Sequence, residues 1–311
     1  MSVSRERAYK QSNRVLKRLY ESRHLYLLLA APMAYFILFK YFAMFWLVIA
    51  FKKYNAFLGL AKSEWVGLRY FKAFINDPYF WNLLRNTVLL NLLMLVFYFP
   101  VPIILALMIN DLNSKRLKKF IQSVTYLPYF LSTVVVCGFI FNLMAMDGPI
   151  NNLIKSMNGT PIAFMVQPEW FRPIYIMSEI WQFSGWGSII YLAALTGVDP
   201  QLYEAASIDG ASRWKQLWKI SLPSIAPVIS IQFLLTVGRL ITVGFEKILL
   251  LYNGATYSTA DVISTYVYRR GLLNADYSYG AAISIFQAVI ALTLVIVANR
   301  TSRKLGNTSL W

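Results

Sequence analysis

The sequence holds one cysteine and one histidine in 311 residues. Cys137 has no intramolecular disulfide partner and cannot build a cysteine metal site. Set in "VVVCGFI", it reads as a buried, inert thiol. His24 is equally alone, which excludes a His/Cys metal site and a His-based triad. No G-x-x-x-x-G-K-[ST] loop is present to cradle nucleotide phosphates. Acids are scarce, 14 against 30 basic residues, and the apolar segments carry no paired carboxylates. Glu179 is the one acid well inside such a segment. A lone buried Glu can relay protons or hydrogen-bond across helices, and "SEIWQFSGW" favours the structural role. These absences leave no constellation for an enzyme acting alone.

Charge is also thin. Charged residues make up 14% of the chain and hydrophobic ones 58%, whereas soluble domains carry about 25% charge. Mean hydropathy is +0.50. A soluble core of this length cannot absorb that apolar fraction, so the chain reads as an integral membrane protein. The net charge of +16 does not indicate nucleic acid. Its basic residues are spread between apolar segments, where they orient a membrane chain.

Six apolar stretches reach the roughly 20 residues that cross a bilayer. They lie near 25–48, 84–109, 121–145, 173–197, 223–243 and 281–299. Lys40 interrupts the first, and a lysine can snorkel to an interface. The layout is a basic N-terminus (1–24), a six-helix transmembrane domain (25–299) and a tail (300–311). No internal repeat, low-complexity tract or soluble domain interrupts it. Arg5, Arg7, Lys10, Arg14, Lys17, Arg18 and Arg23 precede an apolar run too long for a cleaved leader, which reads as an uncleaved anchor with its N-terminus inside. The basic loops "DLNSKRLKK" and "NRTSRK" are then cytoplasmic, with 200–223 and both termini. Lys52, Lys53, Lys62, Arg69 and Lys72, on the expected outer segment 52–82, run against the charge rule. Pro100, Pro102 and Pro128 lie in or near spans, where neighbouring helices satisfy freed backbone groups. Tyr79, Trp81, Trp170 and Tyr175 suit interface positions.

The stretch "EAASIDGASRWKQLWKISLP" breaks this pattern. Asp199 and Pro200 start a helix, "QLYEAASI" forms it, and Asp209-Gly210 turns it. Ser212 caps a second helix that sets Trp214, Leu217 and Trp218 on one face. Arg213, Lys215 and Lys219 stay available to water or phosphates. Leu222 and Pro223 end it and set the approach of the next span. Ala205, Ala206 and Ala211 permit close approach by another surface, while Glu204 and Asp209 offer charge to a basic partner. Physics alone allows either a docking hairpin or an amphipathic loop resting on the membrane.

"EAA", Gly210 after three residues and "ISLP" nine residues later resemble the EAA loop of ABC importer permeases. "NTVLLNLL" with "PVPIILALMIND", "KKFIQSVTYLPYFLSTVVV" and "GWGSIIYLAALTGVDPQLYEAASIDGA" extend the likeness to carbohydrate-type permeases. They are most similar to those of oligosaccharide and polysaccharide importers, common in Gram-positive bacteria. The resemblance implies an all-α, type I importer fold with six transmembrane helices in a bacterial cytoplasmic membrane. It implies a second homologous permease in a heterodimer, two cytoplasmic ATPase subunits, an extracellular solute-binding protein and a sugar substrate. No cofactor belongs to this chain; ATP and Mg belong to the ATPase partners.

In that family the EAA loop is the coupling helix seated in a groove of the ATPase. The resemblance therefore assigns coupling to Glu204, Ala205, Ala206, Asp209, Gly210, Ala211, Leu222 and Pro223. A sugar path needs hydrogen-bonding groups and aromatic faces within the membrane. Candidates are Glu179, Trp181, Gln182, Trp186, Gln232, Arg239, Thr242, Phe245, Glu246 and Asn253. Inter-helix hydrogen bonding is the competing role for each. Other readings are an ABC permease for a peptide or amino acid, and a secondary carrier driven by an ion gradient.

Overall fold

The computed structural model describes residues 22–239 and 244–306. The basic residues before Ser22 and the candidate Thr242 lie outside the described residues, as does the side chain of Arg239. The chain divides into two units, residues 1–67 and 68–311.

In the first unit, α1 (Arg23–Phe51) is long and apolar enough to span a membrane. Its Leu25, Leu27, Leu28 and Phe39 are exposed, as suits contact with lipid. Lys40 sits in a π-helical turn, Ile37–Tyr41. A two-stranded antiparallel hairpin follows, β1 (Lys52–Lys53) on β2 (Glu64–Trp65).

The second unit opens with α2 (Arg69–Ile75) and α3 (Phe80–Asn110). Pro100 lacks an N–H for the helical ladder. A π-turn at Met94–Tyr98 precedes it, and Phe99 N donates to Met94 O at 3.1 Å, so the helix passes Pro100 unbroken. α4 (Lys115–Tyr126) is capped by Ser114. The expected span 121–145 is not one helix. A 3-10 turn at Leu127–Phe130 holds Pro128, and α5 (Thr133–Met144) restarts under a Ser132 cap. Proline and a local capping hydroxyl win over the continuous apolar run. α6 (Pro149–Ser156) leads to α7 (Pro168–Thr196).

Five stretches of the described residues are long and apolar enough to cross a membrane: Arg23–Phe51, Phe80–Asn110, Thr133–Ser156, Arg213–Val237 and Tyr277–Val297. α7 is not among them, although its 29 residues span about 44 Å at 1.5 Å per residue. Ser178, Glu179, Gln182, Ser184 and Ser188 lower its hydropathy, and all are buried. α7 is the hub of the unit. It packs against α3, α4, α10 (Leu222–Arg239) and α12 (Tyr257–Ala260). The face of α7 that packs against these helices carries polar side chains that a lipid-facing surface cannot.

The remaining elements are α8 (Pro200–Ile208), α9 (Arg213–Gln216), α11 (Phe245–Leu251), α13 (Ile263–Val267) and α14 (Tyr277–Gly306). Apolar packing forms three clusters, one around Tyr175 and Ile248, one around Ile109 and Ile225, and one around Phe74 and Ile283.

Candidate functional site

The hairpin forms as its local chemistry dictates. Asp199 Oδ1 accepts from Gln201 N at 2.9 Å, and Pro200 takes the first turn of α8. Gly210 has φ +72°, a conformation cheap only without a Cβ. Ala211 N then donates to Ala206 O at 2.8 Å and closes the helix end. Ser212 Oγ accepts from Lys215 N and starts α9. A π-turn, Leu217–Ser221, carries α9 directly into α10, so Leu222 and Pro223 do not end the second helix as expected, a proline being tolerated in the first turn of α10.

Side chains lock the two arms. Gln216 Nε2 donates to Ser207 Oγ at 2.9 Å and to Ala211 O at 3.2 Å. The Tyr203 and Ser221 hydroxyls lie 2.9 Å apart. Arg213 Nη1 reaches Asp111 Oδ2 at 3.1 Å, tying the hairpin to the end of α3. A cavity of about 580 Å³ opens between these parts, lined by Asp111, Asn113, Tyr203, Arg213 and Gln216 among others.

Glu204, Ala205, Asp209, Gly210 and Pro223 are exposed, and Ala206, Ala211 and Leu222 are half-buried. The structure therefore brings the coupling candidates onto one small element. Ile208, 87% exposed at the tip of α8, was not singled out by the sequence reading. Its position just before the Asp-Gly turn was the available signal. Nothing within 4 Å would meet a Cβ on Gly210, so only the backbone conformation demands glycine there.

Among the described residues, the pathway candidates lie in separate surroundings. Glu179 Oε1 lies 2.6 Å from Lys247 Nζ, with both side chains buried. The same ammonium stands 4.9 Å from the Phe183 ring. Gln182 Nε2 donates to Leu131 O at 3.1 Å, across the break between α4 and α5. These two candidates are occupied by helix packing. Trp186 stacks on Tyr129 at 4.3 Å, and Trp181 and Trp186 are both exposed. Phe245 meets the Tyr268 ring, Gln232 is half-buried, and Glu246 is exposed. Asn253 builds a turn, donating to Met165 O at 2.6 Å and accepting from Ala255 N. Lys247 was missed by sequence reasoning, although a lysine inside "FEKILLL" needs an acid at that depth.

α3 and α7 both run toward the hairpin, so they begin at the opposite end of the unit. Asp261 is wholly buried there. Arg269 Nη2 reaches its Oδ2 at 2.5 Å, and Thr265 Oγ1 donates to its Oδ1 at 2.8 Å. Burial lowers the Arg269 pKa, but the bond to Asp261 and its charge outweigh that and hold the guanidinium above its usual value. Burial and the Asp261 carboxylate push the Tyr79 phenol up to about 12.

Comparison with known proteins gives a consistent picture. Residues 99–306 match the family described as binding-protein-dependent transport system inner membrane component. The polygalacturonan/rhamnogalacturonan transport system permease protein YteP of Bacillus subtilis is 45% identical over 299 residues, covering 96% of this chain and 93% of that one. Protein LplB of the same organism is 43% identical over 288 residues, covering 92% and 91%. A solved chain of a bacterial ABC transporter involved in import of the acidic polysaccharide alginate superposes with TM-score 0.88 at 41% identity, covering 94% of this chain and 99% of that chain.

Proposed function

The chain belongs to the binding-protein-dependent transport system inner membrane component family, and from that membership we propose that it carries an oligosaccharide or polysaccharide fragment across the cytoplasmic membrane. It is a transport permease subunit and not an enzyme. Two relatives, at 45% and 41% identity, are named for polysaccharide transport, and this supports the substrate class. The working assembly in this reading pairs the chain with a second permease. Two cytoplasmic ATPase subunits hold ATP and Mg, and an extracellular binding protein delivers the sugar. The chain crosses six times with both termini inside.

The observation that carries the mechanism is the hairpin of α8 and α9. Transport needs a passage open to one side at a time. ATP-driven closure of the ATPases displaces whatever sits in their grooves. Glu204 supplies charge contact, Ala205, Ala206 and Ala211 admit a close neighbouring surface, and Asp209-Gly210 fixes the turn. The bonds from Gln216 and Tyr203 make the hairpin move as one piece. α9 runs without a break into α10, where Leu222 and Pro223 set its direction, so the movement reaches the span directly. Arg213 on Asp111 passes part of it to α3.

Isolation of the chain from its native membrane in mild detergent, with mass spectrometry of its companions, tests this reading. An ATPase and a second permease in near-equal amounts are expected. A chain that purifies without an ATPase in every detergent contradicts it.

A further inference from the structure

The starts of α3 and α7 each carry an arginine, Arg85 and Arg172, and although Glu169 lies in the first turn of α7, no acid among the described residues forms an ion pair with either. Arg85, in the second turn of α3, is exposed and donates through Nη2 to Asn82 Oδ1 at 3.1 Å and Ser258 O at 3.2 Å. Arg172, near the start of α7, is half-buried and donates through Nη2 to Asn86 Oδ1 at 2.9 Å. Asn86 Nδ2 donates in turn to the same Ser258 carbonyl at 3.0 Å. The two guanidiniums thus stand at either end of one short hydrogen-bonded chain.

Every acceptor in that chain is neutral. Among the described residues, neither arginine makes an ion pair. Asp261 is near, since Asn86 Nδ2 also reaches its backbone carbonyl at 3.1 Å. Its carboxylate is already taken by Arg269 and Thr265. Two donors beside the arginines are buried: Arg172 Nε has no acceptor, and Asn82 Nδ2 has none but the nearby Tyr79 phenol. Unmet buried donors cost free energy, and two adjacent like charges add to that cost. A group that is anionic, flat and rich in acceptor atoms relieves both, and a carboxylate fits the guanidinium fork. Trp81, one helical turn before Arg85 on the same face, is 71% exposed and offers an aromatic surface beside the charge.

We propose that Arg85, Arg172 and Asn82 form an outer subsite that takes a carboxylate of an acidic oligosaccharide, a uronic-acid oligomer, as it enters the permease. This rests on the sugar-import reading and adds its substrate chemistry. A lipid phosphate carries similar chemistry and is the rival occupant.

The test uses the complete importer in liposomes of neutral phosphatidylcholine, with ATP inside and the binding protein outside. Probes are oligogalacturonate, alginate oligomers and a neutral galacto-oligosaccharide. Wild type is expected to take up a uronate oligomer. Arg85→Gln and Arg172→Gln are expected to lower that uptake about tenfold or more, the scale of a charge-assisted bond. Arg85→Lys and Arg172→Lys keep the charge but lose the fork, and are expected to lose clearly less uptake than the glutamine variants. Copurification of the ATPases with each variant checks that assembly is intact. Equal uptake in all variants overturns the subsite. So does a loss as large in the lysine variants, or a loss that appears only when anionic lipid is added. A wild type that transports the neutral oligomer alone overturns the acidic substrate and leaves sugar import standing. A wild type that transports no oligosaccharide brings down the sugar reading itself.

Discussion

Lys247 Nζ stands 2.6 Å from Glu179 Oε1, and their side chains are 3% and 11% exposed. The pair joins α7 to α11 in the interior of the unit. Withdrawing two charges from water is costly, and their attraction offsets that cost only while both are present. Removing one partner strands the other. Glu179→Gln and Lys247→Met are each expected to destabilise by about 3–5 kcal/mol. Glu179→Leu with Lys247→Met is expected to recover most of that loss. Thermal unfolding in detergent reads all three, and single variants as stable as wild type would show the pair contributes nothing.

Gly244 opens α11 at φ +78°, with the Tyr175 hydroxyl packed against it. A Cβ there overlaps the tyrosine ring and hydroxyl and also strains the backbone. Gly244→Ala is expected to lower the melting temperature by several degrees. Adding Tyr175→Leu is expected to restore part of it, because the left-handed φ still costs about 1–2 kcal/mol. No recovery in the double variant would assign the whole effect to the backbone.

Gly185 sits where α7 meets α4, against the backbone carbonyl of Thr125. Backbone cannot swing aside as a side-chain tip can. Gly185→Ala is therefore expected to force the helices apart and reduce the folded protein recovered from membranes. Gly138 has nothing within 4 Å of the same added atom, so Gly138→Ala is the matched control and is expected to behave as wild type.

Gly210 also has open space around it, so its requirement is conformational within this chain. Asn tolerates the left-handed region far better than β-branched residues. Gly210→Asn is expected to retain most ATP-driven uptake, while Gly210→Val loses it with the chain still in the membrane. Equal uptake by both would show that the turn does not matter for coupling.

Much of the hairpin was legible because caps and turns are local. Asp199, Asp209-Gly210 and Ser212 each act within a few residues of themselves, and the structure places them as expected. The membrane interior was less legible. Glu179 was visible as a lone acid but Lys247 was passed over, because their meeting depends on how α7 packs against α11. Gln182 and Asn253 read as pathway groups from residue type alone, yet the structure spends their amides on backbone carbonyls. Pro128 was plain in the sequence, while the break it makes needed the Ser132 cap beside it.

The most direct test of the coupling account is ATP-driven uptake by the assembled importer carrying Glu204→Lys, with membrane insertion followed in parallel. The account predicts normal insertion and a loss of uptake to near background. Normal uptake by the inserted variant would contradict the hairpin as the coupling element.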